Sequence, residues 1–248
     1  MKYMGSKARL AKDLSPIINN IIKKIEIVTY VEPFVGGANM IQHIDCKNKL
    51  GSDNNRYLIA LWNSLKEGWS PPKHISKELY QEIKNNKEKY QDELVAVTGF
   101  CATYNAKWFG GYAGIVKTKV GTERNYYDEA VRNILKQIDQ LKDVEFLNAD
   151  YTHFSEYKNS LIHCDPPYEG TTKYGTSKDF HHDRFWDWNR KMSKDNIVLI
   201  SEYNAPDDFI NIYEKQLTTT LDKNSRKKDT EKLFIHKSLH SNLLEIIK

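Results

Sequence analysis

The stretch "HCDPPYEG", residues 163–170, follows an apolar run with an acid, two prolines and an aromatic ring. The residues before it, Ser160 to Cys164, make a short apolar run interrupted by one histidine, the pattern of a strand buried on both faces. Two consecutive prolines lack backbone donors and have fixed φ, so they cannot continue a central strand and hold a stiff extended turn instead. Asp165 and Tyr168 are thereby presented at the rim of a sheet. For the tetrapeptide in isolation, a plain strand-ending turn is the competing reading, with Asp165 capping a backbone amide and Tyr168 packed on the surface.

Four further apolar runs stand beside this one. "VTYVEPF" runs into "VGGA", "KLGSD" ends at Asp53, "VEFLNAD" ends at Asp150, and "NIVLISEYN" breaks at Ala205-Pro206. Helix-like stretches separate most of them: Ala38 to Ile44, Tyr57 to Leu65, Tyr126 to Leu141 and Phe185 to Met192. Strands alternating with helices predict an α/β fold with a mostly parallel sheet and right-handed crossovers. Gly36, Gly37, Asp53, Asp150 and Asp165 then all fall at the carboxyl ends of strands, the edge at which open α/β sheets bind ligands.

With 248 residues the chain can bury one core plus a smaller appended unit. The segment from Pro71 to about 145 breaks the strand-helix rhythm and reads as an inserted, mainly helical subdomain, leaving 1–70 and 146–248 as the main domain. Its stretch "YNAKWFGGYAGIVKTKVGTERNYY" resembles a hairpin or loop in which Lys107, Lys117, Lys119 and Arg124 interleave with Trp108, Phe109, Tyr112 and Tyr126. Basic groups meet phosphates and aromatic rings stack on bases, so Lys107, Trp108, Tyr112, Lys117, Lys119, Arg124 and Asn125 are candidate nucleic-acid contacts. A solvated loop with a few buried aromatics is the plainer alternative. Arg226, in the "NSRKKD" run between the last two expected strands, is a further candidate phosphate contact.

The net charge of +4 suits a phosphate-bearing partner only weakly. Cys46, Cys101 and Cys164 form no C-x-x-C pair, which argues against a disulfide framework and a zinc site, and adjacent His181 and His182 cannot easily share one metal. No apolar stretch reaches membrane-spanning or signal-peptide length, so a soluble cytoplasmic protein without metal is expected.

"VEPFVGGANM", residues 31–40, places glycines between a strand and a predicted helix, yet it is not G-x-G-x-x-G, so a nicotinamide dehydrogenase is disfavoured. Asp53 follows at the separation usual for an acid accepting hydrogen bonds from ribose hydroxyls, and capping the next helix is a compatible role. Together, "KYMGSK", "EPFVGGA", the Asp after the second strand and "DPPY" after a long insertion closely resemble the Dam-like D12 class of adenine-specific DNA methyltransferases, in the α-group order. "WFGGYAG", "RNYYDEAVRN" and "SEYNAPDDF" look most like its bacteriophage or prophage members.

That resemblance spans nearly the whole chain. It implies a Rossmann-like S-adenosylmethionine-binding sheet and an insertion that recognises double-stranded DNA. Tyr3, Met4 and Lys7 match the N-terminal cofactor motif, with Tyr for the commoner Trp and Ser6 for a glycine. Glu32, Pro33, Phe34, Gly36, Gly37 and Ala38 match the glycine loop, Ala38 replacing its last glycine. The resemblance further implies that Asp53 with Asn54 holds the ribose, that Asp150 and Tyr151 flank the cofactor adenine, and that Asp165, Pro166, Pro167 and Tyr168 form the catalytic motif, Asp165 also touching the cofactor.

The implied reaction explains the turn. A base amine is a poor nucleophile because its lone pair is delocalised, so the site must accept its hydrogens and aim it at the methyl group. Asp165 and the carbonyl of Pro166 are suitable acceptors, and Tyr168 offers a ring to a base flipped from the stack. Competing readings are a methyltransferase of RNA, protein or a small molecule, and a catalytically idle DNA-binding relative. A monomer or weak dimer, in a bacterial cell or phage-infected host and with restriction-modification as one setting, is the expectation.

Overall fold

A computed structural model describes residues 1–117, 120–170, 180–219 and 227–247. Among them the strands are β1 (Thr29–Glu32), β2 (Asn48–Ser52), β3 (Ile115–Lys117), β4 (Glu123–Asn125), β5 (Val144–Leu147), β6 (Leu161–Cys164), β7 (Ile197–Glu202), β8 (Phe209–Thr219) and β9 (Lys227–His236). The helices are α1 (Ala11–Ile25), α2 (Arg56–Lys66), α3 (Lys77–Asn85), α4 (Asp92–Cys101), α5 (Tyr126–Ile138), α6 (His182–Met192) and α7 (His240–Ile247). Seven strands form one sheet in the order β5-β2-β1-β6-β7-β9-β8. The first five are parallel, and β9 runs antiparallel to both β7 and β8.

Alternation along the central strands explains why both faces are covered. Tyr30, Leu161 and Leu199 join the apolar cluster containing Leu14, Ile18 and Ile21 of α1, while Val31, Ile162, Val198 and Ile200 join one containing Phe185, Trp186 and Met192 of α6. Period-two side chains thus feed two opposite cores, as expected for parallel strands buried on both faces.

Two helical expectations change. The stretch Ala38 to Ile44 forms only a 3-10 turn, Ile41–His43. Gly36 and Ala38 have φ of +47° and +52°, outside helical space, and too few residues remain before β2 to build a stable helix. Conversely, α1 has no counterpart among the expected helices, and it runs through Pro16, which lacks a backbone donor. Its apolar face, Leu14, Ile18, Ile21 and Ile22, packs on the sheet, and burial outweighs the lost backbone donor.

The insertion contains α3, α4, the β3–β4 hairpin and α5. Asn125 caps α5 by accepting from the Asp128 amide at 3.1 Å, and Ser76 caps α3 through the Leu79 amide at 3.1 Å. Val95, Val97 and Phe100 of α4 lie in the same apolar cluster as Leu58 and Trp62 of α2, so the insertion and the sheet share a core.

Candidate active site

β6 ends at Cys164, and Asp165 follows at the carboxyl edge. Lys7, in a 3-10 turn ahead of α1, is 7% exposed and reaches that edge. Its Nζ lies 2.9 Å from Asp165 Oδ1 and 3.2 Å from Glu231 Oε2, donates to the Tyr168 hydroxyl, and sits 4.4 Å from the Tyr168 ring centroid. The Tyr168 hydroxyl in turn donates to Glu231 Oε2 at 2.8 Å. Burial would lower the Lys7 ammonium, but the charges of Asp165 and Glu231 outweigh it and hold its pKa above the ordinary value. Burial pushes the Asp165 carboxyl up, against the downward pull of Lys7.

A second carboxylate grips the same turn. Glu202, at the end of β7, accepts from the backbone amides of Glu169 at 3.2 Å and Tyr203 at 2.7 Å, and burial pushes its pKa up to about 7. The rings of Tyr168 and Tyr203 meet edge to face with centroids 4.7 Å apart. Glu231 escaped the sequence reading because it sits in no motif, and Glu202 because the stretch "SEYNAPDDF" gave it no role. β9 runs antiparallel to β7, which brings its early residues to the carboxyl edge, and only strand order reveals this. His163, on the inward side of β6, is buried neutral, its pKa lowered by burial to about 3, with Nε2 3.0 Å from Ser201 Oγ.

The glycine loop lies beside this cluster. The Gly36 amide donates to Asp53 Oδ2 at 3.2 Å and the Asn55 amide to Asp53 Oδ1 at 2.9 Å, and burial pushes Asp53 up to about 6. Asn55, not Asp53, caps α2, through the Leu58 amide at 3.3 Å. Asp53 is therefore a half-buried acid held by backbone donors, suited to accept from hydroxyls. A Cβ on Gly36 would sit 2.9 Å from the Tyr3 ring, which is why that ring can lie against the loop. Burial raises the Tyr3 phenol, and the charges of Asp53 and Asp165 raise it further, so Tyr3 stands within the field of both acids. Ala38 accepts a left-handed conformation that its glycine counterpart would adopt freely, and Gln137 of α5 ties the loop down by donating to the carbonyls of Gly37 and Ala38, both at 3.0 Å.

The remaining cofactor candidates fall along the same edge. Glu32 is buried, accepts from Tyr30 at 2.7 Å and is pushed up to about 8 by burial; the carbonyl of Pro33 accepts from Ser52 at 3.3 Å. Phe34 stacks on Tyr151 with centroids 5.7 Å apart, and Phe180 and Phe185 close the other sides of that aromatic cluster. Asp150 accepts from the Thr152 amide at 3.0 Å and from Asn54 at 3.3 Å. Met4 is exposed at the surface.

In the insertion, Lys107 and Lys117 are exposed, and Val120 beside the hairpin is 84% exposed. Trp108 and Tyr112 are half-buried, with packing partners inside the protein. Trp108 contacts Phe100 at 4.5 Å and stacks on Tyr57 at 5.4 Å, and the Tyr112 hydroxyl donates to the Ile75 carbonyl at 2.8 Å. Arg124 forms a two-pronged pair with Glu129, both bonds at 2.8 Å, and Asn125 is the α5 cap. Spacing alone cannot tell an aromatic facing bases from one facing a core. Lys119 and Arg226 lie outside the described residues. Among the described residues no cluster of His, Cys, Asp and Glu is placed to hold a metal ion, and no helix is long and apolar enough to cross a membrane.

Parallel strand order, a glycine loop after β1, acids directly beyond β2 and β6 and a third acid three residues past β5 define a Rossmann-like methyltransferase fold. The protein-family model for D12 class N6 adenine-specific DNA methyltransferase matches residues 3–197, and the chain belongs to that family. It is 24% identical over 225 residues to Type II methyltransferase M.FokI of Planomicrobium okeanokoites, spanning 83% of this chain and 34% of that relative, about a third of its length. Type II methyltransferase M.MjaIII of Methanocaldococcus jannaschii is 26% identical over 255 residues, spanning 86% of this chain and 87% of its own. Among solved structures, PH1948 of Pyrococcus horikoshii, described as an RNA methyltransferase, covers 92% of this chain and 81% of its own at 11% identity and a TM-score of 0.38, too low to bear on substrate or site.

Proposed function

We propose that this chain transfers a methyl group from S-adenosylmethionine to N6 of an adenine flipped out of a short specific sequence in double-stranded DNA. The observation that carries the reading is the placement of Asp165: it follows β6 at the carboxyl edge on a rigid Pro-Pro turn, 2.9 Å from Lys7 of the N-terminal motif.

When bound, S-adenosylmethionine supplies a methyl group made electrophilic by its sulfonium. Everything else falls to this chain. Asp53 accepts from the ribose hydroxyls, Phe34 and Tyr151 offer an apolar aromatic wall to the adenine, and Lys7 with Tyr3 lines the methionine end. Asp165 and the Pro166 carbonyl accept the two amine hydrogens and aim the nitrogen lone pair. Tyr168, held by Glu231 and Lys7, presents its ring to the extruded base. The insertion serves as the DNA-recognition region, with exposed Lys107 and Lys117 meeting phosphates.

The α-group motif order and the stretches "WFGGYAG" and "SEYNAPDDF" favour a Dam-like enzyme of phage or prophage type, working as a monomer or weak dimer in the cytoplasm. Sequencing plasmid treated with protein and S-adenosylmethionine tests the reading: N6-methyladenine at one recurring site is expected, and unmodified plasmid with methylated RNA would overturn it.

A further inference from the structure

Two acids, Asp165 and Glu231, share one buried cation. Lys7 lies 2.9 Å from the first and 3.2 Å from the second. Were Lys7 paired with Asp165 alone, the couple would be neutral, and Asp165 would have little charge left to offer a reacting centre. Glu231 is only 14% exposed and comes from an antiparallel strand outside the parallel part of the sheet, on the far side of β7 from β6. In this partly desolvated place a charge is not placed lightly, and an apolar side chain would pack at lower cost unless the charge has a use.

We propose that Glu231 is the counter-charge of Lys7, a positioning residue that leaves the Asp165–Lys7–Glu231 cluster with a net charge of about −1 facing the methyl-transfer centre. The inference rests on the methyltransferase reading above. In that reaction N6 forms a bond to the methyl carbon while the C–S electron pair leaves with sulfur. Positive charge passes from the sulfonium to N6, which then releases a proton to solvent. Positive charge is present before, during and just after the transfer, so a lone ammonium at 2.9 Å from the acceptor acid would oppose each stage. Glu231 cancels it. Through the 2.8 Å bond from the Tyr168 hydroxyl, the same carboxylate also fixes the ring that receives the base.

Charge and geometry separate by substitution. Glu231→Gln keeps an oxygen for the Tyr168 hydroxyl but loses the charge, whereas Glu231→Ala loses both. Glu231→Gln is expected to lower kcat roughly tenfold or more with KM for DNA nearly unchanged. By calorimetry, without turnover, it is expected to weaken S-adenosylmethionine relative to the uncharged S-adenosylhomocysteine. Adding Lys7→Met to Glu231→Gln removes both members of the couple and is expected to restore that affinity ratio and to cost less than Lys7→Met costs alone. This doubly substituted chain keeps the net charge of the cluster at about −1, now on Asp165 alone, and its near-ultraviolet circular dichroism checks that it folds. A loss confined to Glu231→Ala, additive effects of the two substitutions, or an unchanged affinity ratio would each make Glu231 a mechanical brace and overturn the proposal. Asp165→Ala is measured alongside: normal methylation there defeats the reading of the site itself, whereas impaired Asp165→Ala beside normal Glu231→Gln defeats only the counter-charge.

Discussion

Asp165 and Tyr168 are three residues apart, and the proposed reaction gives them different work, so substitutions should separate them. Asp165→Ala removes the acceptor that orients the amine, and methyl transfer is expected to fall roughly a hundredfold or more while DNA binding survives. Tyr168→Ala removes a stacking ring worth about 1–3 kcal/mol, which raises the apparent KM for DNA and dims the signal of a fluorescent base analogue at the target adenine. Tyr168→Phe keeps the ring and gives up the hydroxyl's bonds to Glu231 and Lys7, so most activity is retained. Normal turnover by Asp165→Ala would leave the turn a structural element only. Glu32 offers a test of stability in the free protein. Its pKa is raised from 4.5 to about 8, chiefly by burial, so the folded chain holds a proton that the unfolded chain releases between those values. Its contribution is complete below pH 4.5 and is lost as pH rises toward 8, by up to about 1.4 kcal/mol per unit. Glu32→Gln keeps the acceptor for Tyr30 and should therefore gain on the parent protein as pH rises from 5 to 9, read from urea midpoints. A constant difference across that range would mean Glu32 ionises normally.

At the scale of elements, the glycine loop and the hairpin carry separate expectations. Asp53 ties the loop to the end of β2 through the Gly36 amide. Asp53→Ala should weaken S-adenosylmethionine by roughly 1–3 kcal/mol, because the brace on the loop and the proposed ribose acceptors are lost together. Unchanged affinity by calorimetry would place the ribose elsewhere. In the hairpin, exposed Lys117 and Arg124 look alike in sequence but differ in surroundings. Arg124 is already neutralised by its two bonds to Glu129. Lys117→Ala should reduce the slope of log affinity against log salt by about one, while Arg124→Ala leaves it nearly unchanged. Equal slopes in both variants would put the DNA on another face.

The insertion is grown into one of the two cores that flank the sheet. Val95, Val97 and Phe100 of α4 share an apolar cluster with Leu58 and Trp62 of α2. Deleting residues 71–141 should therefore expose the buried face of α2 and give a chain that aggregates or lacks near-ultraviolet circular dichroism. A folded, cofactor-binding product would show the insertion to be an independent domain. With the chain intact, S-adenosylmethionine at about a hundred times its Kd should stabilise the fold by roughly 2.7 kcal/mol, a rise visible in thermal melts.

Where the strands end was legible in the sequence by itself. Apolar runs and prolines report burial and lost donors locally, so β6, Asp165 and the parallel sheet could be read from "HCDPPYEG" and its four companion runs. The positions of Asp53 and Asp150 near the carboxyl edge were legible for the same reason, since each closes such a run. Which side chains meet was decided only by tertiary structure. Lys7, Tyr168 and Glu231 are separated by as many as 224 residues, and the antiparallel return of β9 brings the last of them to the site. Trp108 and Tyr112 carried a pattern compatible with base stacking, but a ring's neighbours depend on α2, α3 and α4 folding around it, and no local spacing records that. Strand ends answer to the backbone's own chemistry, whereas the charge balance of the site answers to strand order, which is a property of the assembled sheet.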